Sequence, residues 1–163
     1  MKKNLKRIVS YEPLIVWIRY FQTITFKNVL INFGIPILAC IMLGLFAADK
    51  LIKSNIDTLT ISSILVGFCS SIIIMLFTLP ENKTEKLNSI NITGTKLSLL
   101  KSLIYKFAYI IYNLIAVIIM NIITSALVVN NIYCILFSIG ILLNVLLTLI
   151  EAASNAIFCL LPK

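Results

Sequence analysis

The chain contains no histidine. That absence removes the usual general base, the imidazole of nucleophilic triads and the commonest metal ligand. Cysteine is scarce as well, and Cys40, Cys69, Cys134 and Cys159 form no CxxC pair and fall within or beside apolar tracts. Their spacing fits no zinc site, and free cysteine packs as a small apolar residue. No glycine-rich phosphate loop is present, and no carboxylates are paired at a spacing suited to acid–base work. The expectation is a protein that is not an enzyme and has no catalytic residue, cofactor or metal site.

Charge is also missing over long stretches. Only 12% of the residues are charged and 60% are hydrophobic, with a mean hydropathy of +1.05; ordinary soluble domains carry about 25% charge. No Lys, Arg, Asp or Glu occurs in Val29–Ala48, Thr58–Pro80, Phe107–Val129 or Ile132–Ile150. Each tract has roughly the 20 residues a helix needs to cross about 30 Å of hydrocarbon. The tracts lack the alternation of barrel strands, and a helix satisfies its own backbone in lipid. The pattern predicts an all-α integral membrane four-helix bundle, with crossings at about 28–48, 58–80, 105–129 and 131–151. A loop over 81–104, whose first half suits a short helix before a turn at Gly94, and an extension of the overlong fourth tract over 152–163 complete it. A polar lead this long before Val29, without a small-residue cleavage site, does not suit a signal peptide.

What charge there is lies in two places. Residues 1–27 carry Lys2, Lys3, Lys6, Arg7, Arg19 and Lys27 against Glu12, a net +5. Residues 81–106 carry Lys83, Lys86, Lys96, Lys101 and Lys106 against Glu81 and Glu85, a net +3. The other two connections, Asp49–Asp57 and Asn130–Asn131, are neutral. Lys/Arg excess marks the cytoplasmic side, so both basic segments are expected inside, with both chain ends inside too. In a bacterium this means a multi-pass inner-membrane protein. Its basic rim attracts anionic headgroups, and nothing in the charge calls for nucleic acid. Trp17, Arg19 and the lysines at 2, 3, 6, 83, 86, 96 and 101, with Arg7, are the candidate lipid- or partner-binding residues.

Glu12-Pro13 suits a helix start, and Leu14, Trp17, Ile18, Phe21 and Ile24 recur at helical spacing. This predicts an N-terminal amphipathic helix on the inner leaflet, within a basic arm spanning 1–27. A helix that docks a partner protein would look the same. Gly34 and Pro36 place a bend early in the first crossing. Cys40, Gly44 and Ala48 recur every fourth residue, as do Ser63, Gly67 and Ser71 in the second crossing. Such seams let backbones approach closely, within one chain or between copies; Gly44, Ser63, Gly67 and Ser71 are the candidate packing residues. Tyr105, Tyr109 and Tyr112 read as an interfacial aromatic belt.

The last helix carries Gly140, Asn144, Thr148, Glu151 and Asn155 on one face, and the third carries Asn113 and Asn121 eight residues apart. Polar groups at membrane depth face a bundle interior or water. Two readings stay open: a seam lining a pore with Glu151 at its mouth, or hydrogen bonds between helices with Glu151 at the headgroups.

The second crossing from Ile61 to Phe68, then Leu76-Phe77 and the charged Glu81–Lys86 stretch, resembles the membrane subunit of bacterial two-gene antiphage systems. The nearest likeness is the Kiwa membrane subunit, KwaA, and RexB-like proteins are more remote. The resemblance implies an inner-membrane homo-oligomer, a tetramer, that registers phage attack and holds a soluble cytoplasmic partner encoded alongside. It implies no catalytic residue, and it puts the partner on the basic inner surface. The competing classes are a small depolarising channel of the abortive-infection or holin kind, and a transporter accessory or bacteriocin-immunity protein.

Overall fold

Apolar tracts of this length have only one way to satisfy their backbone in hydrocarbon, and the chain takes it. The computed structural model describes residues 13–46, 55–90, 97–126 and 132–160, and the elements among them are helices. They are α1 (Pro13–Phe21), α2 (Phe26–Phe46), α3 (Asn55–Phe77), α4 (Glu81–Ser89), α5 (Leu99–Ala126) and α6 (Ile132–Leu160). Four of them are long and apolar enough to cross a membrane, over Phe26–Phe46, Thr58–Phe77, Leu99–Ser125 and Ile132–Ile157. The protein is an all-α, multi-pass membrane bundle.

Several hydroxyls on or beside the spans are satisfied locally, although the buried Ser102 hydroxyl of α5 has no hydrogen-bond partner. Ser62, Ser63, Ser71, Thr78 and Thr124 each donate to the carbonyl four residues back, at 2.7–3.1 Å, so they need no partner from another helix. In α2 the opposite happens. Pro36 has no N–H, so the carbonyl of Asn32 loses its helical partner. The Asn144 amide of α6 donates to that carbonyl at 2.7 Å, an interhelical bond that the proline makes necessary.

The spans are joined side to side: α3 packs on α5, α5 on α6, and α6 on α2. The middle helices supply the core, with Leu103, Ile110, Leu114 and Val117 of α5 meeting Leu142, Val145 and Ala152 of α6 and Cys69 and Leu76 of α3. The outer faces are apolar and exposed, with Leu30, Leu38 and Leu45 on α2 and Ile64, Phe68 and Met75 on α3. That is the surface expected of helices solvated by lipid.

Several expected boundaries move. The third crossing begins at Leu99, six residues before the expected 105, because Leu99, Leu100, Leu103 and Ile104 are all buried. The segment 81–104 is therefore no simple loop. It contains α4, which packs on α5 through Leu87, and Leu99 N–H donates to the Ile90 carbonyl at 2.8 Å. The part of the extension that is described, 152–160, continues α6 without a break.

The amphipathic segment is helical over Pro13–Phe21, and one side of it meets the bundle while the other stays exposed. Val16 and Tyr20 of α1 are buried, whereas Ile18 and Phe21 of the predicted stripe are exposed. The face is chosen by Tyr20, whose hydroxyl and ring both find partners inside the bundle. Tyr109, expected in an interfacial belt, is likewise buried, at 1% exposure.

The small-residue seams part company. Cys40 and Gly44 of α2 meet α6: a Cβ at Gly44 would lie 3.0 Å from Leu136 Cδ1, and one at Gly140 would lie 2.9 Å from Cys40 Sγ. Cys40 Sγ also donates to the Leu136 carbonyl at 3.2 Å, which pins it near Gly140. Ser63, Gly67 and Ser71 of α3 instead face outward, with nothing within 4 Å of a Gly67 Cβ. Gly140→Ala is expected to cost about 1–3 kcal/mol through overpacking. In detergent that keeps the chain monomeric, Gly67→Ala should be neutral, or stabilising by up to about 1 kcal/mol from helix propensity. Thermal unfolding in one detergent checks both, and equal penalties would contradict this assignment of the seams.

Candidate functional site

One end of the bundle holds the starts of α2 and α5, the end of α6, and α4; it is called the basic end here. Close to it, the spans bury an ion pair. Lys106 lies seven residues into α5, about 10 Å along the helix, and its Nζ donates to Glu151 Oε1 at 2.7 Å. The Lys106 side chain is 0% exposed and that of Glu151 13%. The carboxylate also accepts from Asn28 Nδ2 at 2.9 Å and Asn32 Nδ2 at 3.0 Å. Three helices, α2, α5 and α6, thus converge on one carboxylate. An isolated charge at the centre of a span costs about 2.5–3.5 kcal/mol on insertion scales, so each charge makes the other tolerable.

A second layer lies one helical turn away. Thr148 donates to the Asn144 carbonyl at 2.9 Å. Its single proton is thereby used, so the Tyr20 hydroxyl is the donor in the 2.9 Å Tyr20–Thr148 contact. Asn32 Nδ2 completes the chain by donating to the Tyr20 oxygen at 3.4 Å. Tyr109 donates to Asn144 Oδ1 at 2.8 Å, and Asn113 Nδ2 to the Tyr109 carbonyl at 2.8 Å.

The two tyrosines stack, with ring centroids 3.6 Å apart and planes inclined by 6°. Trp17 meets the edge of Tyr109 at 5.0 Å. Burial pushes the Tyr20 phenol up to about 12, so it remains a neutral hydrogen-bond donor at any physiological pH. Through Trp17 and Tyr20, α1 is fastened to both α5 and α6.

The candidate residues fall into four groups. Asn113, Asn144, Thr148 and Glu151 come together in this hub, and Gly140 lies against Cys40 one turn beyond. Asn121 is buried in α5, its Nδ2 without a hydrogen-bond partner, and Asn155 is half-buried past the hub. Arg19, Lys83, Lys86 and Lys101 are exposed at the basic end, whereas Trp17 is half-buried against Tyr109. Lys2, Lys3, Lys6, Arg7 and Lys96 lie outside the described residues.

Among the described residues no group of three or more His, Cys, Asp or Glu side chains could hold a metal ion. What the hub can do is hold four helices in one arrangement, with a charge pair as the fastening.

No family model, curated protein or solved structure matches this chain.

Sequence reasoning missed Asn28, Asn32, Tyr20, Tyr109 and, above all, Lys106. Lys106, Tyr109 and Asn113 recur at i, i+3 and i+7, one helical face, and that spacing is the signal by which α5 announces an inward polar side. Counting Lys106 with the surface charges of the basic segment hid it.

Proposed function

We propose that this protein is the membrane subunit of a bacterial two-gene antiphage system. In this reading it spans the inner membrane with both ends in the cytoplasm, senses a disturbance of the bilayer during infection, and regulates a soluble effector held at its basic end. The observation that carries the proposal is the buried Lys106–Glu151 pair, which ties α2, α5 and α6 together beside the exposed cations. Breaking such a pair is costly and replacing it by apolar residues often is not, so a buried pair is a poor choice for stability and a good one for a two-state fastening. The lysine excess at the same end supports the cytoplasmic assignment, and the resemblance of the second crossing supplies the defence context.

The outward seam of Ser63, Gly67 and Ser71 would let copies associate closely, as the implied homo-oligomer requires. The conducting alternative draws less support. The seam that would line a pore, Asn113, Asn144, Thr148 and Glu151, spends its hydrogen bonds within one chain.

The test is to express the tagged chain together with the genes that flank it. A soluble protein encoded next door should copurify, and reversing charge at Lys83, Lys86 and Lys101 should release it. A chain that purifies alone and passes current in planar bilayers would overturn the proposal in favour of the channel.

A further inference from the structure

Because α2 packs chiefly on α6, a groove of about 570 Å³ remains between α2 and α5, with α6 as its floor. Its walls are Phe33, Ile37 and Ile41 of α2, Ala116 of α5, and Phe137 and Ile141 of α6. Towards the basic end it is lined by Trp17, Tyr109, Asn32, Asn113 and Asn144. We infer that this groove is a binding site for one acyl chain of a membrane lipid.

Size selects the occupant. Along α6 the lining runs from Tyr133 to Asn144, about 16 Å at 1.5 Å per residue. The mean cross-section open to the centre of a water-sized sphere is then about 35 Å², which puts the walls about 10 Å apart, at the lower edge of the roughly 10–12 Å that a helix with its side chains needs. A hydrocarbon chain fits between these walls as they stand, whereas a helix of a second copy would have to spread them.

Chemistry agrees. The Asn113 and Asn144 amide nitrogens, the Tyr109 hydroxyl and the Asn32 amide are already committed to protein acceptors. The groove therefore asks for no headgroup, only for an apolar filling. A void within the hydrocarbon forfeits dispersion contacts along its whole lining, and the surrounding lipid is the material at hand to restore them. The chain end would rest on Trp17, whose ring touches Tyr109, so occupancy bears directly on how α1 is seated. The site stands on the groove alone; only a role for it in sensing would rest on the proposed function.

The molecule carries its own reporter, because Trp17 is the single tryptophan of the chain. The full-length protein in detergent is titrated with a phosphatidylglycerol brominated at mid-chain, and Trp17 emission is followed. Quenching should saturate, be reversed by the unbrominated lipid, and weaken at least several-fold in Ala116→Phe. Ile41→Phe fills the groove from the opposite wall at an exposed position, and should weaken it likewise. Quenching that rises linearly with brominated lipid and is unchanged in both variants would overturn the site, leaving Trp17 as a residue that merely faces bulk lipid. So would protection from quenching that appears only as copies associate, since the occupant would then be protein. None of these outcomes depends on the presence of an effector, so failure of the lipid site and failure of the proposed function are separable.

Discussion

Removing the Glu151 carboxylate is expected to be among the most damaging single changes in the chain. Glu151→Ala leaves Lys106 charged and 0% exposed within a span, and strands the Asn28 and Asn32 amides that it accepts from. Breaking a buried pair by deleting one partner costs about 3–5 kcal/mol, and Lys106→Met should cost a similar amount by leaving the carboxylate unpaired. The double variant Lys106→Met/Glu151→Gln separates charge from shape. It removes both charges yet keeps a carbonyl oxygen to accept from an asparagine, so it should recover at least half of either single loss. With Glu151→Gln as the second single variant, thermal unfolding of the wild type, Lys106→Met, Glu151→Gln and the double in one detergent closes the cycle, and additive losses would mean that the two side chains do not interact.

Tyr109→Ala ranks next. The ring stacks on Tyr20 at 3.6 Å and meets Trp17, while its hydroxyl donates to Asn144. Its removal opens a cavity between α1, α5 and α6 and leaves Asn144 Oδ1 without this donor. Large aromatic truncations in a core cost about 3–5 kcal/mol. Tyr109→Phe keeps both ring contacts and should cost only about 1–3 kcal/mol, the penalty of one unsatisfied buried acceptor. The alanine variant should also loosen α1, seen as faster proteolysis near Phe21 than in the phenylalanine variant. Equal proteolysis in the two would show that α1 is not held through this ring.

How much of this could be read beforehand follows from the physics of the two solvents. The crossings were legible because charge cannot be hidden over 20 residues of lipid, and the charge-free tracts of α2, α3, α5 and α6 mark themselves. The inward face of α6 was legible for the same reason: Asn144, Thr148 and Glu151 have no business facing hydrocarbon. Their partners were not legible. Asn28 and Asn32 sit near a helix start, where a polar residue needs no explanation, and Lys106 sits among lysines that face water.

The side of α1 that meets the bundle was not legible, because hydrophobicity does not distinguish a bundle interior from lipid. Val16 and Tyr20 face the bundle, whereas Ile18 and Phe21, on the stripe of the interfacial reading, are exposed. The link between Pro36 and Asn144 also needed the fold. Each residue is notable in the sequence, but only the packing of α2 on α6 sets an amide against the carbonyl that a proline released.

The central claim is that the hub at the basic end is a fastening that yields when the membrane is disturbed. The most direct measurement is the distance between spin labels on Ile18 of α1 and Lys86 of α4, introduced as unnatural amino acids so that the native cysteines are untouched. Both positions are exposed, so the labels do not disturb the hub. In intact vesicles the account predicts one narrow distribution. Thinning or permeabilising the bilayer should add a second, longer population, and that population should grow in Glu151→Ala. A single distribution, unchanged by either treatment or variant, would contradict the account and leave the bundle as a static anchor.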